Sequence, residues 1–275
     1  MATAILGSPA AAETLANDAV GLGREIGSER VEALGLLAGA RAALRSGDPR
    51  VSSRKLRAAI TILEPSSRLD ILDAYLVTAN HHLDRGAWAD VSAASDDLLV
   101  GVRVNGWSLW EPLPPLLQGR AHLAAGRFDE ASATLAKAAS IARSQSASGT
   151  GSLAAAARDQ AIILSGHTPR RRRHQTAAPH EIEAIMCENQ GLLALRSPDE
   201  AGAARDALAE AVERWRALGL TSWLARSLVL RAEAERRSGA ARARSQRSDA
   251  EAEQILDRLG TPRRQRSALL HPLGV

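Results

Sequence analysis

The feature that most restricts the fold of this chain is the brevity of the breaks between its helical stretches. Ser46-Gly47-Asp48-Pro49, Arg85-Gly86-Ala87 and Ala125-Gly126-Arg127 interrupt, for only a few residues each, segments whose apolar residues recur at three- and four-residue spacing. A link that short cannot carry the chain across the molecule, so the two helices it joins must lie antiparallel as neighbours. Each such hairpin leaves one apolar face uncovered. Successive hairpins must therefore stack, giving a curved solenoid with an inner and an outer surface.

The same punctuation, followed along all 275 residues, predicts about twelve helices. Their approximate spans are 10–24, 28–46, 50–64, 68–85, 87–101, 112–125, 128–145, 152–165, 180–196, 199–218, 221–238 and 240–259. Composition agrees with an all-α chain: aromatic residues are only 3%, and alanine, leucine and arginine, all strong helix formers, dominate. Two segments read as mobile loops, SQSASGTGS at 144–152 and HTPRRRRHQTAAP at 167–179. They divide the chain into N-terminal hairpins at 1–146, a loop-rich interruption with one helix at 147–179, and C-terminal hairpins at 180–275.

The clearest repeat is Pro115 to Ala139. Small Gly119 precedes the turn glycine Gly126 by seven residues, Phe128 follows, and Ala131 and Leu135 share one face of the second helix. This resembles a tetratricopeptide repeat, in which small residues let two helices approach closely and larger ones fill the space between hairpins. His122 stands where that pattern usually has tyrosine. A weaker copy occupies 72–99, with Ala79, Gly86 and Trp88 at matching separations. The resemblance implies a right-handed solenoid of antiparallel hairpins. It also implies that the first helix of each hairpin lines the concave surface, which makes Asp73, Asn80, Arg120, Arg226, Glu233 and Arg236 the candidate partner-binding residues. Arginine suits such a surface because its planar fork grips carboxylates, including peptide C termini, at two points.

From about Asp199 onward the wording is more specific. AVERWRALGL at 211–220, SWLARSLVLRAEAERRSG at 222–239 and AEQILDRLGTPRR at 252–264 carry Trp215, Leu218-Gly219, Trp223, Ala225-Arg226, Ala232-Glu233-Ala234, Gly239 and Leu259-Gly260. This segment resembles the helical-repeat region of the large ATP-dependent bacterial transcriptional regulators of the LuxR type, whose repeats also occur beside nucleotide cyclase domains. The resemblance implies a signalling module that senses a protein, a peptide or a small effector. Neither Lys55, after Arg54, nor Lys137, after Ala136, supplies the Gly-Lys pair of a phosphate-binding loop. About 15 residues follow Gly260, against the roughly 60 that a LuxR-type DNA reader needs. The expectation is a repeat module without its own ATPase or DNA-binding domain.

No catalytic constellation stands out: there is no Gly-x-Ser-x-Gly elbow and no His-Glu-x-x-His helix. The chain is thus expected to bind and not to catalyse, with no cofactor and no metal. His81-His82 fall on different sides of a helix, and Asp96-Asp97 has no second acidic cluster to complete a metal site. Cys187 is the single cysteine, consistent with a reducing, cytoplasmic setting, and no stretch approaches the roughly 20 apolar residues that cross a bilayer. The pI of 10.1 comes with a formal charge of only +4, spread as arginine among acidic residues. The run Arg170, Arg171, Arg172, Arg173 is the candidate polyanion contact and carries the alternative reading, a basic nucleic-acid-associated adaptor. Trp107 and Trp110, in VNGWSLWEPLPP, either plug the solenoid or stand exposed as partner anchors.

Overall fold

The computed structural model describes residues 9–66, 68–170, 180–261 and 266. Twelve α-helices account for most of them: α1 Pro9–Glu25, α2 Glu29–Arg45, α3 Pro49–Ser66, α4 Arg68–Asp84, α5 Trp88–Asn105, α6 Leu113–Ala124, α7 Phe128–Ser144, α8 Ser148–Leu164, α9 His180–Ala194, α10 Ala201–Leu218, α11 Thr221–Arg237 and α12 Arg242–Leu259. Single 3-10 turns precede α6 (Ser108–Trp110) and α10 (Pro198–Glu200), and no strand occurs among the described residues.

The hairpin turns have a common cause. At Gly126 (φ 75°) the chain enters the left-handed region, its N–H donates to Leu123 O at 3.2 Å, and the Arg127 N–H donates to His122 O at 2.9 Å. This pair of bonds closes the last turn of one helix and aims the chain back along it, and glycine adopts the required backbone angle without a Cβ clash. Gly47 and Gly86 repeat the device, each followed at once by the next helix.

Close packing follows from the small residues. A Cβ placed on Gly119 would lie 2.6 Å from Leu135 Cγ, so α6 and α7 touch through that glycine, with Ala131 and Leu135 fully buried beneath them. The predicted repeat is thus a packed unit. The core throughout is alanine and leucine: Leu37, Leu63, Leu72, Leu98, Leu135, Leu192, Leu208 and Leu256 are all inaccessible to solvent.

Two departures from the expected pattern occur in the middle of the chain. The segment 144–152 is mostly helical, because α7 ends at Ser144 and α8 begins at Ser148, with Gly149 and Gly151 in its first turn. Further on, α8 and α9 do not form an antiparallel hairpin. The Asn189 side chain donates to Ala156 O at 3.1 Å and the Arg196 guanidinium to Ile163 O, and both bonds span 33 residues. A constant offset means that the two helices run parallel. The same holds for α9 and α11, joined by Ser227 to Glu188 and by Arg237 to Leu195 O. So α8, α9 and α11 lie side by side as an inner layer, and among the described residues α8 has no second helix of its own before α9.

The two ends of the stack meet. Ser222 Oγ on α11 donates to Asp84 on α4 at 2.9 Å, across 138 residues of sequence. A Cβ on Gly219 would meet the guanidinium of Arg45, and one on Gly47 would lie 3.8 Å from Arg258 Cδ. These contacts close the stack by joining its N-terminal half to its C-terminal half.

Candidate functional site

The inner layer carries a polar cluster that five helices build together. Glu188, on α9, is completely buried. It lies 3.1 Å from Arg226 Nε, itself 2% exposed, and accepts bonds from Ser227 Oγ at 3.0 Å and Trp215 Nε1 at 3.3 Å. Arg226 also donates to Gln160 Oε1 on α8 at 3.4 Å. Trp223 stacks on Trp215 with ring centroids 5.8 Å apart, and Arg120 on α6 lies over the other side of the site with its Cζ 4.8 Å from the Trp223 centroid. Arg120 in turn pairs with Glu181 on α9 at 2.8 Å. Cation–ring and ion-pair contacts of this kind gain strength where water is excluded, and the pairing is what makes burial of the charges tolerable.

Beside this cluster, where the ends of the stack meet, lies a half-enclosed cavity of about 250 Å³. Its apolar walls are Ala40 and Leu44 from α2, Val77 from α4, and Leu218 and Leu220 from the α10–α11 turn. Its polar lining includes Arg41 and Arg45 on α2, Asn80, His81 and Asp84 on α4, and Glu181 at the start of α9. Burial pushes the Asp84 carboxyl up to about 6, against the lowering effect of the Ser222 hydrogen bond and of the Arg120 charge, with Glu181 adding to the rise. His81, between Ser52 Oγ at 3.0 Å and Ser53 Oγ at 2.9 Å, is pushed down to about 4 by burial, with the neighbouring His82 and Arg85 contributing. It is a neutral imidazole satisfied on both nitrogens.

The predicted binding residues divide into three groups. Arg120 and Arg226 come together around Trp223, but each is buried and engaged by a glutamate, so neither presents an open fork to a peptide. Asn80 lines the cavity, and Asp73 sits two turns earlier on α4, held by Arg41 at 2.8 Å. Glu233 and Arg236 lie elsewhere, in an ion-pair network with Arg237 and Asp249. Arg170 is exposed, whereas Arg171, Arg172 and Arg173 lie outside the described residues. Trp107 and Trp110 pack partly buried against the core, while Leu109 between them is 66% exposed, and Val100 and Val104 on α5 are exposed as well.

Sequence reasoning missed Glu188, Glu181, Asp84 and Ser222. Glu188 leaves a faint trace, being a charged residue at the centre of the apolar face of its helix. The partners of all four are remote in sequence and invisible to periodicity. No group of three or more His, Cys, Asp or Glu residues that could hold a metal ion occurs among the described residues, and no described helix is long and apolar enough to cross a membrane. No protein-family model matches the chain, and no match to a curated protein is found.

Proposed function

We propose that this chain is an effector-sensing helical-repeat module of the kind that serves bacterial ATP-dependent LuxR-type regulators, acting in the cytoplasm by binding and without catalysis of its own. The observation that carries this reading is the cavity at the closure of the stack. A molecule held there touches α2, α4, α9 and the α10–α11 turn at once, so its binding favours the closed arrangement over any in which the ends part. Binding energy is thereby converted into a change that a partner protein can read on the outer surface. The polar cluster supports the reading from the other side, because its charges are buried and paired as ions, and the cavity is where polar lining faces open space. A peptide groove along the inner surface is not favoured, since Arg120 and Arg226 are consumed by Glu181 and Glu188.

The test uses a low-molecular-mass extract of bacterial cytoplasm. It should raise the melting temperature of the wild type, slow amide exchange in α2, α4 and the α10–α11 turn, and leave Leu220→Trp, which fills the cavity, unaffected. An extract that stabilises neither protein, or both equally, overturns the proposal.

A further inference from the structure

We infer that the cavity takes a small molecule bearing an ammonium group on an apolar body, with the ammonium held by Asp84, Glu181 and Asn80. The inference rests on the effector-sensing reading above and names the chemistry of the ligand.

The polar groups that the cavity offers on this side are acceptors. Asp84, 8% exposed and so built into the wall, is a carboxylate whose one described hydrogen bond comes from Ser222. Glu181 is a second carboxylate. The Asn80 amide nitrogen donates to Leu76 O at 2.9 Å within its own helix, which leaves its carbonyl oxygen for a ligand. Three acceptors match the three donors of an ammonium group.

Charge points the same way. Arg120 is the guanidinium that acts on both carboxylates, through a 2.8 Å pair with Glu181 and a longer-range effect on Asp84. Arg120 is the cation that acts on Asp84, and it shares its charge between that carboxylate and Glu181. Of the other groups facing Asp84, His81 is neutral on the same helix and Ser222 is a hydroxyl on α11, while on α2 Arg41 is already paired with Asp73 and Arg45 packs against Gly219. The remaining walls, Leu44, Val77, Leu218 and Leu220 among them, are apolar and would receive a short hydrocarbon body. At about 250 Å³ the space lies below the roughly 300–1,000 Å³ of sites for drug-sized molecules, so the ligand is a small metabolite. A carboxylate at its other end would meet Arg41 or Arg45, which separates amino acids from simple amines.

The test titrates the full chain calorimetrically with isoamylamine, L-leucine and isoamyl alcohol, three compounds sharing one hydrocarbon body. The ammonium compounds should bind at least about ten-fold more tightly than the alcohol, and L-leucine more tightly than isoamylamine if the source is an amino acid. Affinity for the amines should fall about four-fold from pH 7.5 to pH 5.5, as a carboxyl titrating at about 6 loses its charge. Asp84→Asn should lose the preference over the alcohol, and Asn80→Leu, on the cavity edge, should weaken the amines with the fold intact by circular dichroism. Equal binding of amine and alcohol, or undiminished amine binding by both variants, overturns the inference. An extract stripped of amines by cation exchange that still stabilises the wild type but not Leu220→Trp overturns the ammonium assignment while the effector reading stands. An untreated extract without effect overturns both.

Discussion

Removing the carboxylate at the centre of the inner layer is the sharpest perturbation available. Glu188 is inaccessible to solvent, accepts hydrogen bonds from Ser227 at 3.0 Å and Trp215 at 3.3 Å, and pairs as an ion with Arg226 at 3.1 Å. Glu188→Ala strands the Arg226 charge in a site 2% exposed, where breaking one side of a buried pair costs about 3–5 kcal/mol. The Ser227 and Trp215 donors lose an acceptor as well, each worth about 1 kcal/mol or more, although these terms overlap with the first because the neighbours relax together. A loss of about 4 kcal/mol is expected, a large share of the stability of a typical domain. Glu188→Gln keeps the shape and an acceptor but not the charge, and should lose slightly less. The double variant Glu188→Met with Arg226→Met removes both charges at similar volume and should return to within about 1–2 kcal/mol of the wild type. Urea unfolding followed by tryptophan fluorescence reports on the cluster directly, since Trp215 and Trp223 form part of it. A single variant costing under about 1 kcal/mol, or a double variant costing as much as the two singles together, would refute the claim that this pair is energetically coupled.

The remaining predictions concern pH and packing. The folded Asp84 carboxyl titrates at about 6 against 3.8 in the unfolded chain, so its ionisation opposes folding, and stability from this group rises by about 2 kcal/mol as pH falls from 6 to 4. His81 does the reverse, since the unfolded imidazole takes a proton below 6.5 and the folded one only near 4, at a cost of about 2 kcal/mol over that fall. The two offset, so Asp84→Asn should make the protein more acid-labile than the wild type between pH 6 and 4.5, as read by denaturation midpoints; parallel pH profiles would count against it. A Cβ at Gly23 would fall on the backbone of Glu32, 2.8 Å from its Cα, so Gly23→Ala should loosen α1 from α2 by about 1–3 kcal/mol and speed amide exchange in α1 selectively. Ser222→Ala deletes the hydrogen bond to Asp84 at the closure, and should cost about 1–2 kcal/mol while exposing the C-terminal ends of α2 and α4 to faster exchange. Unchanged exchange there would show that the closure does not depend on that bond.

What could be read in the sequence is what local chemistry governs. Turn glycines such as Gly47, Gly86 and Gly126 act within six residues through the backbone angle they permit, so the helices they separate were placed to within a few residues. Gly149 and Gly151 misled because glycine lowers helix propensity by only about 1 kcal/mol, and packing overrides it: a Cβ on Gly151 would lie 3.3 Å from that of Ala142. The helix expected to stop at 101 runs on to Asn105, since the terminating signal is Gly106 in the left-handed region and not Gly101, which lies under Leu72. The parallel course of α8 and α9 could not be read at all, because helical periodicity carries no information on direction. The site was half legible. Arg120, Asn80 and Arg226 were named from their place on first helices, but the carboxylates that engage or accompany them lie 27 to 138 residues from their partners.

Those long-range polar contacts also answer a problem set by the composition. A core made mostly of alanine and leucine offers many nearly equivalent ways for helices to slide past one another, because its side chains are small or alike in shape. Charges buried at single positions remove that degeneracy. Arg226 finds its partners only when α11 sits beside α9 in one register, with Glu188 and Gln160 both in reach. Arg120 finds Glu181 and Trp223 only when α6 faces α9 and α11. Ser222 meets Asp84 only when the stack is closed. A slip by one turn, about 5.4 Å, would cost little in apolar contact and would leave several buried charges unpaired. The polar cluster thus selects the closed arrangement, and the closed arrangement is what creates the cavity.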